Sequence, residues 1–278
     1  MIMKIAQDAH PFDRLVKSKQ SGFRLAEAAL MIASEEYPNL DRASYLRQID
    51  ALAEEVFREQ ARTEEDRIEA LTEVLVRRHD FRGNTEDFDN PENSYLNRVL
   101  RLRRGIPISV STIWIDVASR LQWPVYGVNL PGHFLICFEG YEDRIWLDPF
   151  HGGERLTIDD CIHRVRRVCG DDREVTVGHL GPCNDRAILQ RMLGNLLSIY
   201  ARSKDWPRTV RVLHRQQALS PQSADICRQL AGVHMEIDEP GQAAMQLNRA
   251  YLLSQSDEEK ATTAQLIKRL ETILAQRN

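Results

Sequence analysis

The chain has 278 residues, of which 42% are hydrophobic and 28% charged, with a formal net charge of -4 and a mean hydropathy of -0.43. That is enough chain for one large domain or two smaller ones, and enough apolar material for ordinary cores. No apolar run approaches the ~18 residues of a membrane-spanning helix. The stretch Met1 to Asp8 turns acidic too soon for a secretion signal, and the slight excess of acid argues against nucleic acid as a main partner. The five cysteines, Cys137, Cys161, Cys169, Cys183 and Cys227, are odd in number and form no CxxC pair, so reduced thiols in a cytoplasmic protein are expected.

Residues 12 to 80 read as helices. Leu25, Ala28, Ala29 and Ile32 share one face, and Tyr45, Ile49, Leu52, Ala53 and Val56 share another, with Pro38 as the break between the two segments. Ile68, Leu71, Val74 and Leu75 mark a third helix, acidic in its first turn (Glu64, Glu65, Asp66) and basic in its last, as the helix dipole favours. The polar stretch from Arg82 to Asn93 reads as loop. A short helix from Tyr95 to Leu102 follows, with Asn93 as its expected cap. The next helix runs from Ser109, its expected N-cap, to Leu121; Val110, Ile113, Trp114 and Val117 make it the buried one.

The period then changes. Val125–Val128, His133–Phe138 and Arg144–Asp148 read as strands, with Glu139–Glu142 as a hairpin loop. A short helix is expected near Asp159 to Val168. From Asp185 onward the chain is helical again. Leu196, Tyr200, Thr209 and Leu213 recur about 34 residues later as Leu230, His234, Ala243 and Leu247, the period of tetratricopeptide repeats. Two such units and a final helix (Glu258 to Gln276) fit the remaining length, although Thr209 and Gln216 stand where small alanines are usual. Three regions follow: a helical part over 1–80 packed on a core, the core at 81–184, and a repeat domain at 185–278.

The segments with chemical promise are Arg104-Gly105-Ile106-Pro107-Ile108-Ser109, Leu130-Pro131-Gly132-His133-Phe134-Leu135 and Leu147-Asp148-Pro149-Phe150. If Phe138 pairs with Asp143, residues whose numbers sum to 281 face each other, and His133 lies opposite Asp148. A carboxylate beside an imidazole fixes its tautomer, the orienting half of a nucleophile–His–Asp triad. The N-terminus of the buried helix would face the same site and stabilise an anion there.

This order of helix, His strand and Asp strand resembles the transglutaminase-like branch of papain-type enzymes. With Phe81-Arg82-Gly83-Asn84 and Asn93-Ser94-Tyr95-Leu96 added, the chain resembles the bacterial SirB-type (YchA-like) family, which joins such a domain to tetratricopeptide repeats. The resemblance implies an α+β fold: N-terminal helices, a transglutaminase-like core with a small antiparallel sheet, and an all-α TPR-like C-terminal domain. It also implies an association with the control of bacterial virulence genes.

Transglutaminases carry a cysteine at the first turn of the helix. Here that turn holds Pro107 and Ser109. Proline has no nucleophile, and a serine in a thiol site reacts poorly because its pKa is far higher. Cys137 stands on the same face of its strand as His133 but roughly 13 Å along it, too far for proton transfer. A non-catalytic protein is therefore expected, gripping a protein or peptide partner on a concave repeat face. The alternative is a hydrolase or acyltransferase using Ser109, His133 and Asp148. Asn93, Tyr95, Pro107 and Gly132 are the candidate pocket-lining residues. His151, three residues beyond Asp148, makes a His133, Asp148, His151 metal set conceivable, but no fixed spacing supports it, and neither metal nor cofactor is expected.

Overall fold

The computed structural model describes residues 10–17, 24–140, 143–170 and 176–277. The opening stretch weighed as a signal, the hairpin residues Tyr141 and Glu142, residues 18–23 of the expected helical region and residues 171–175 lie outside the described residues. The chain is mostly helical with a small antiparallel sheet. It divides into two compact units, Lys19–Met192 and Met1–Ser18 with Leu193–Asn278.

In the larger unit, α2 (Leu25–Glu36) and α3 (Arg42–Arg58) are separated by a turn at Pro38. Asp41 caps α3 by accepting from the Ser44 N–H at 3.1 Å. A reciprocal capping box of Thr63 and Asp66 opens α4 (Glu64–Thr72), which widens into a π-helical segment at Glu73–Arg78. The stretch expected to be all loop contains a 3-10 turn, Pro91–Ser94, and a strand, β1 (Arg82–Gly83), paired in parallel with β2 (Arg104–Gly105). Between them runs α5 (Leu96–Leu102). Asn93 does not cap it; Tyr95 holds the N-cap position without a side-chain bond, and Asn93 ties the preceding loop instead.

The buried helix α6 spans Pro107–Arg120, and every residue from Pro107 to Ala118 is buried. It begins two residues before the expected Ser109 cap. Ile106 is the N-cap and Pro107 the first helical residue, because proline's fixed φ and missing N–H suit that position.

The main sheet has five strands in the order β6-β5-β4-β3-β7. They are β3 (Val125–Val128), β4 (Leu135–Glu139), β5 (Arg144–Asp148), β6 (Glu154–Leu156) and β7 (Pro182–Cys183), with every neighbouring pair antiparallel. The sequence pointed to the three central strands and missed the two edges, which at three and two residues are too short to show alternation. The β4–β5 register also differs from expectation. Glu139 pairs with Arg144 and Ile136 with Leu147, so paired numbers sum to 283 and the loop is 140–143. Gly140 N–H donates to Asp143 O at 3.0 Å to close it. The slip is two residues, an even number, so each side chain keeps its face. One face is covered by α7 (Ile158–Cys169): Leu135, Cys137 and Trp146 pack with Cys161 and Val165.

The smaller unit gathers α1 (Pro11–Lys17), α9 (Trp206–Leu219), α10 (Ala224–Glu236), α11 (Pro240–Leu253) and α12 (Asp257–Arg277). The division falls inside α8 (Asp185–Arg202) rather than at 184/185, because that helix is continuous across it. Helix α1 was expected on the core; it belongs to this unit, with Phe12 and Val16 buried and Asp13 paired with Arg215 of α9. Helix α11 starts 34 residues after α9, at 240 against 206, and α12 starts 33 after α10, at 257 against 224. Ala231, Ala243 and Ala250 are buried where helices meet. Thr209 and Gln216 are buried too, and the Thr209 hydroxyl is satisfied by donating to Asp205 O at 2.7 Å.

Candidate functional site: a charged cluster at the end of the sheet

His133 lies just before β4, in a turn made by Pro131 and Gly132. Gly132 has φ +70°, and a Cβ there would stand 2.6 Å from Val168 and 2.8 Å from the Cys169 sulfur. The backbone can press against the end of α7 only because this residue is glycine. Asp148 ends β5 and opens a 3-10 turn, Pro149–His151; its Oδ1 accepts from the N–H groups of Phe150 at 3.0 Å and His151 at 3.3 Å. Those two bonds hold the carboxylate in place and leave Oδ2 for the site.

His133 Nε2 lies 2.7 Å from Asp148 Oδ2. With the observed register the two are diagonal neighbours on one face rather than directly opposite, and the pair forms nonetheless because the slip preserved parity and His133 sits in a turn. The aspartate is fully buried and His133 nearly so. An ionised Asp148 can only accept, so the His133 Nε2–H donates.

Two further groups complete the cluster. His151 Nδ1 is 2.9 Å from Asp148 Oδ2. Arg164, from α7, places Nη1 2.6 Å from that oxygen and 2.6 Å from His151 Nδ1, while its Nη2 pairs with Glu154. A guanidinium only donates, so His151 Nδ1 accepts and the two acceptors converge on one cation. Burial pushes the Asp148 carboxyl up, but the hydrogen bond from His133 and the charge of Arg164 outweigh it and hold the group well below the usual carboxylate range. Sequence reading placed His133, Asp148 and His151 as candidates and missed Arg164. Its helix carries a local signal, the Thr157–Asp160 capping box, but no local signal tells where that helix docks.

Ser109 does not join this cluster. Its side chain is fully buried, and the hydroxyl faces Asn93 O at 2.6 Å and Ile106 O at 3.0 Å. The other sequence candidates form a separate knot. Asn84 Nδ2 donates to Asn93 Oδ1 at 3.0 Å, and Asn93 Nδ2 to Asp87 O at 2.6 Å. Ile106 N–H donates to Asn93 O, and Asn84 N–H to Gly105 O. Pro107 is buried at the start of α6, and Tyr95 sets its ring edge-on to Tyr37 at 5.6 Å. Phe150 links the knot to the cluster: a Cβ on Gly83 would collide with its ring, and its centroid lies 6.1 Å from that of His133. Nearby, Arg104 pairs with Asp80 at 2.7 Å and Arg103 lies over Phe81 at 4.5 Å. Burial pushes the Cys137 and Cys161 thiols up to about 11, which leaves almost no thiolate at neutral pH.

A buried helix is followed by strands that bring a histidine to an aspartate, and the chain belongs to the transglutaminase-like superfamily, whose family model matches residues 43–194. Within that class it is similar to the UPF0162 proteins of bacteria. It is 35% identical over 236 residues to the one from Xylella fastidiosa strain 9a5c, covering 81% of this chain and 82% of that protein. It is 32% identical over 246 residues to the one from Pseudomonas aeruginosa, covering 87% and 88%. A shorter stretch, 140 residues, is 37% identical to F-box only protein 21 of the mouse, or 48% of this chain and 21% of that one. A crystal structure of menin aligns with a TM-score of 0.41 at 12% identity, over 91% of this chain and 72% of that one. Among the described residues no helix is long and apolar enough to cross a membrane.

Proposed function

We propose that this protein acts by binding a protein or peptide partner, without the acyl chemistry of cysteine-bearing transglutaminases. The observation that carries the reading is the Ser109 hydroxyl, fully buried and directed at the carbonyls of Asn93 and Ile106. The hydroxyl at the expected nucleophile position is thus committed to local structure. Buried thiols raised to about 11 offer no replacement.

The 34-residue spacing of α9 and α11 and the buried alanines between paired helices support a TPR-like array with a concave binding face, as in the SirB-type family it resembles. A cavity of about 500 Å³ lined by Leu197, Trp206, Leu213 and Val233 is wide enough for an apolar side chain of such a partner. We place the protein in the cytoplasm, away from nucleic acid and membrane, on its composition and reduced thiols.

The test is an acyl-probe screen of the full chain, comparing the wild type with His133→Ala. No His133-dependent labelling is expected. Labelling that disappears in the variant would instead establish the hydrolase or acyltransferase alternative through Ser109, His133 and Asp148.

A further inference from the structure

We propose that His133, Asp148 and His151 form a binding site for a divalent transition cation of the zinc class, with Arg164 as the charge that holds the site when no ion is bound. The inference is independent of the partner-binding reading, because it rests on the cluster alone.

Three ligand atoms, one from each residue, lie within 4.8 Å of one another. They are the types that zinc prefers, two imidazole nitrogens and a carboxylate oxygen. Bonds of about 2.0–2.2 Å to a shared ion put such atoms about 3–3.5 Å apart. The present contacts to Asp148 Oδ2, 2.7 Å from His133 and 2.9 Å from His151, open by a few tenths of an ångström, and the two imidazole nitrogens, within 4.8 Å of each other, turn toward the shared ion.

The carboxylate is already held in place. The Phe150 and His151 N–H groups fix Asp148 Oδ1 and so aim Oδ2 at the site, as outer partners do in metal centres. The site already selects positive charge: Arg164 Nη1 stands 2.6 Å from both Asp148 Oδ2 and His151 Nδ1. Two of the three proposed ligand atoms thus already share one cationic nitrogen. Arg164 can leave that point without losing its counter-charge, because Nη2 already pairs with Glu154.

On binding, His133 gives up its Nε2 proton and takes one on Nδ1 by exchange with solvent, so Nε2 becomes a ligand. The ion therefore displaces the His133–Asp148 hydrogen bond, and the triad-like and metal-bound arrangements exclude each other. His151 is 44% exposed, and a fourth coordination position on its side is left for water or an acceptor group of a partner.

The experiment is a titration of the chelator-treated full chain with Zn²⁺ by calorimetry and with Co²⁺ by visible absorption. One equivalent is expected to bind, with a cobalt spectrum of nitrogen and oxygen ligands. His151→Ala, at a half-exposed side chain, leaves the fold intact and is expected to weaken binding by at least about tenfold. Arg164→Gln removes the competing charge and is expected to tighten it by about tenfold. Absence of one-equivalent binding, affinity unchanged by His151→Ala, or a thiolate-to-cobalt charge-transfer band assigning the ion to a cysteine would each overturn the proposal.

Discussion

Arg164 and His133 hold the same oxygen: Asp148 Oδ2 lies 2.6 Å from Arg164 Nη1 and 2.7 Å from His133 Nε2. In a working triad the carboxylate serves the histidine and supports its positive form. Here a permanent cation shares that carboxylate. The His133–Asp148 pair is thus part of a larger ionic cluster that includes Arg164 and His151.

Removing the shared carboxylate exposes the cost of that cluster. Asp148→Ala leaves Arg164 and two imidazoles around an empty centre, and breaking a buried charge pair costs about 3–5 kcal/mol. Urea unfolding curves should show a loss of that size. A loss under about 1 kcal/mol would mean the cluster is already hydrated and contributes little.

The same group sets a pH dependence. The folded carboxyl titrates below its usual value, whereas the unfolded chain takes its proton near pH 3.9. The stabilisation is therefore complete above about pH 4 and is lost as pH falls further through the folded value. Asp148→Asn, measured by acid unfolding monitored in the far ultraviolet, should flatten the fall in stability below pH 4 relative to the wild type. Parallel curves would place the acid-sensitive group elsewhere.

Ser109→Ala is expected to cost only about 1 kcal/mol. Both carbonyls that face the hydroxyl keep another donor, the Ile106 N–H for Asn93 and the Val110 N–H for Ile106, so no acceptor is orphaned. Thermal unfolding checks the size. A drop of several kcal/mol would show that the hydroxyl holds the loop knot by itself.

The sequence carried the elements whose signals are local. Helix α6 was legible from its apolar run, the three central strands from their change of period, and the His133–Asp148 pairing from parity, which survived a wrong register because the error was even. What stayed hidden was set by tertiary contact. Arg164 enters the site because α7 lies across the sheet, and β6 and β7 exist only as edges completed by neighbours. Asn93 looked like a helix cap because polar residues before helices usually are. It serves instead as the tie between Asn84, the loop carbonyls and Ser109, a role that depends on residues up to 16 positions away.

Cysteine reactivity separates the buried thiols from the accessible one. Cys169 is exposed, while Cys137, Cys161 and Cys227 are buried. Alkylation of the native protein near neutral pH, read by peptide mass spectrometry, should modify Cys169 first and leave Cys137 and Cys161 until the chain is unfolded. Modification of Cys137 at the rate of Cys169 would show that the face of the sheet covered by α7 opens readily.

The helical array offers the sharpest packing test. Ala243 and Ala250 on α11 are fully buried; Ala243 packs with Ala231 of α10 and Leu247 of α11, and Ala250 with Ala224 and Cys227 of α10. A methyl group is all that fits where two helix backbones approach so closely. Ala243→Leu forces the helices apart or the side chain off its rotamer, at about 1–3 kcal/mol. Leucine is nearly as good a helix former as alanine, so intrinsic propensity offsets almost none of that cost. If the proposed partner binds this unit, the displaced α11 should also weaken that binding while leaving the unfolding of the transglutaminase-like unit unchanged. Two resolved transitions in calorimetry, only one of them shifted, would be the signature; a common shift of both would show that the units unfold together.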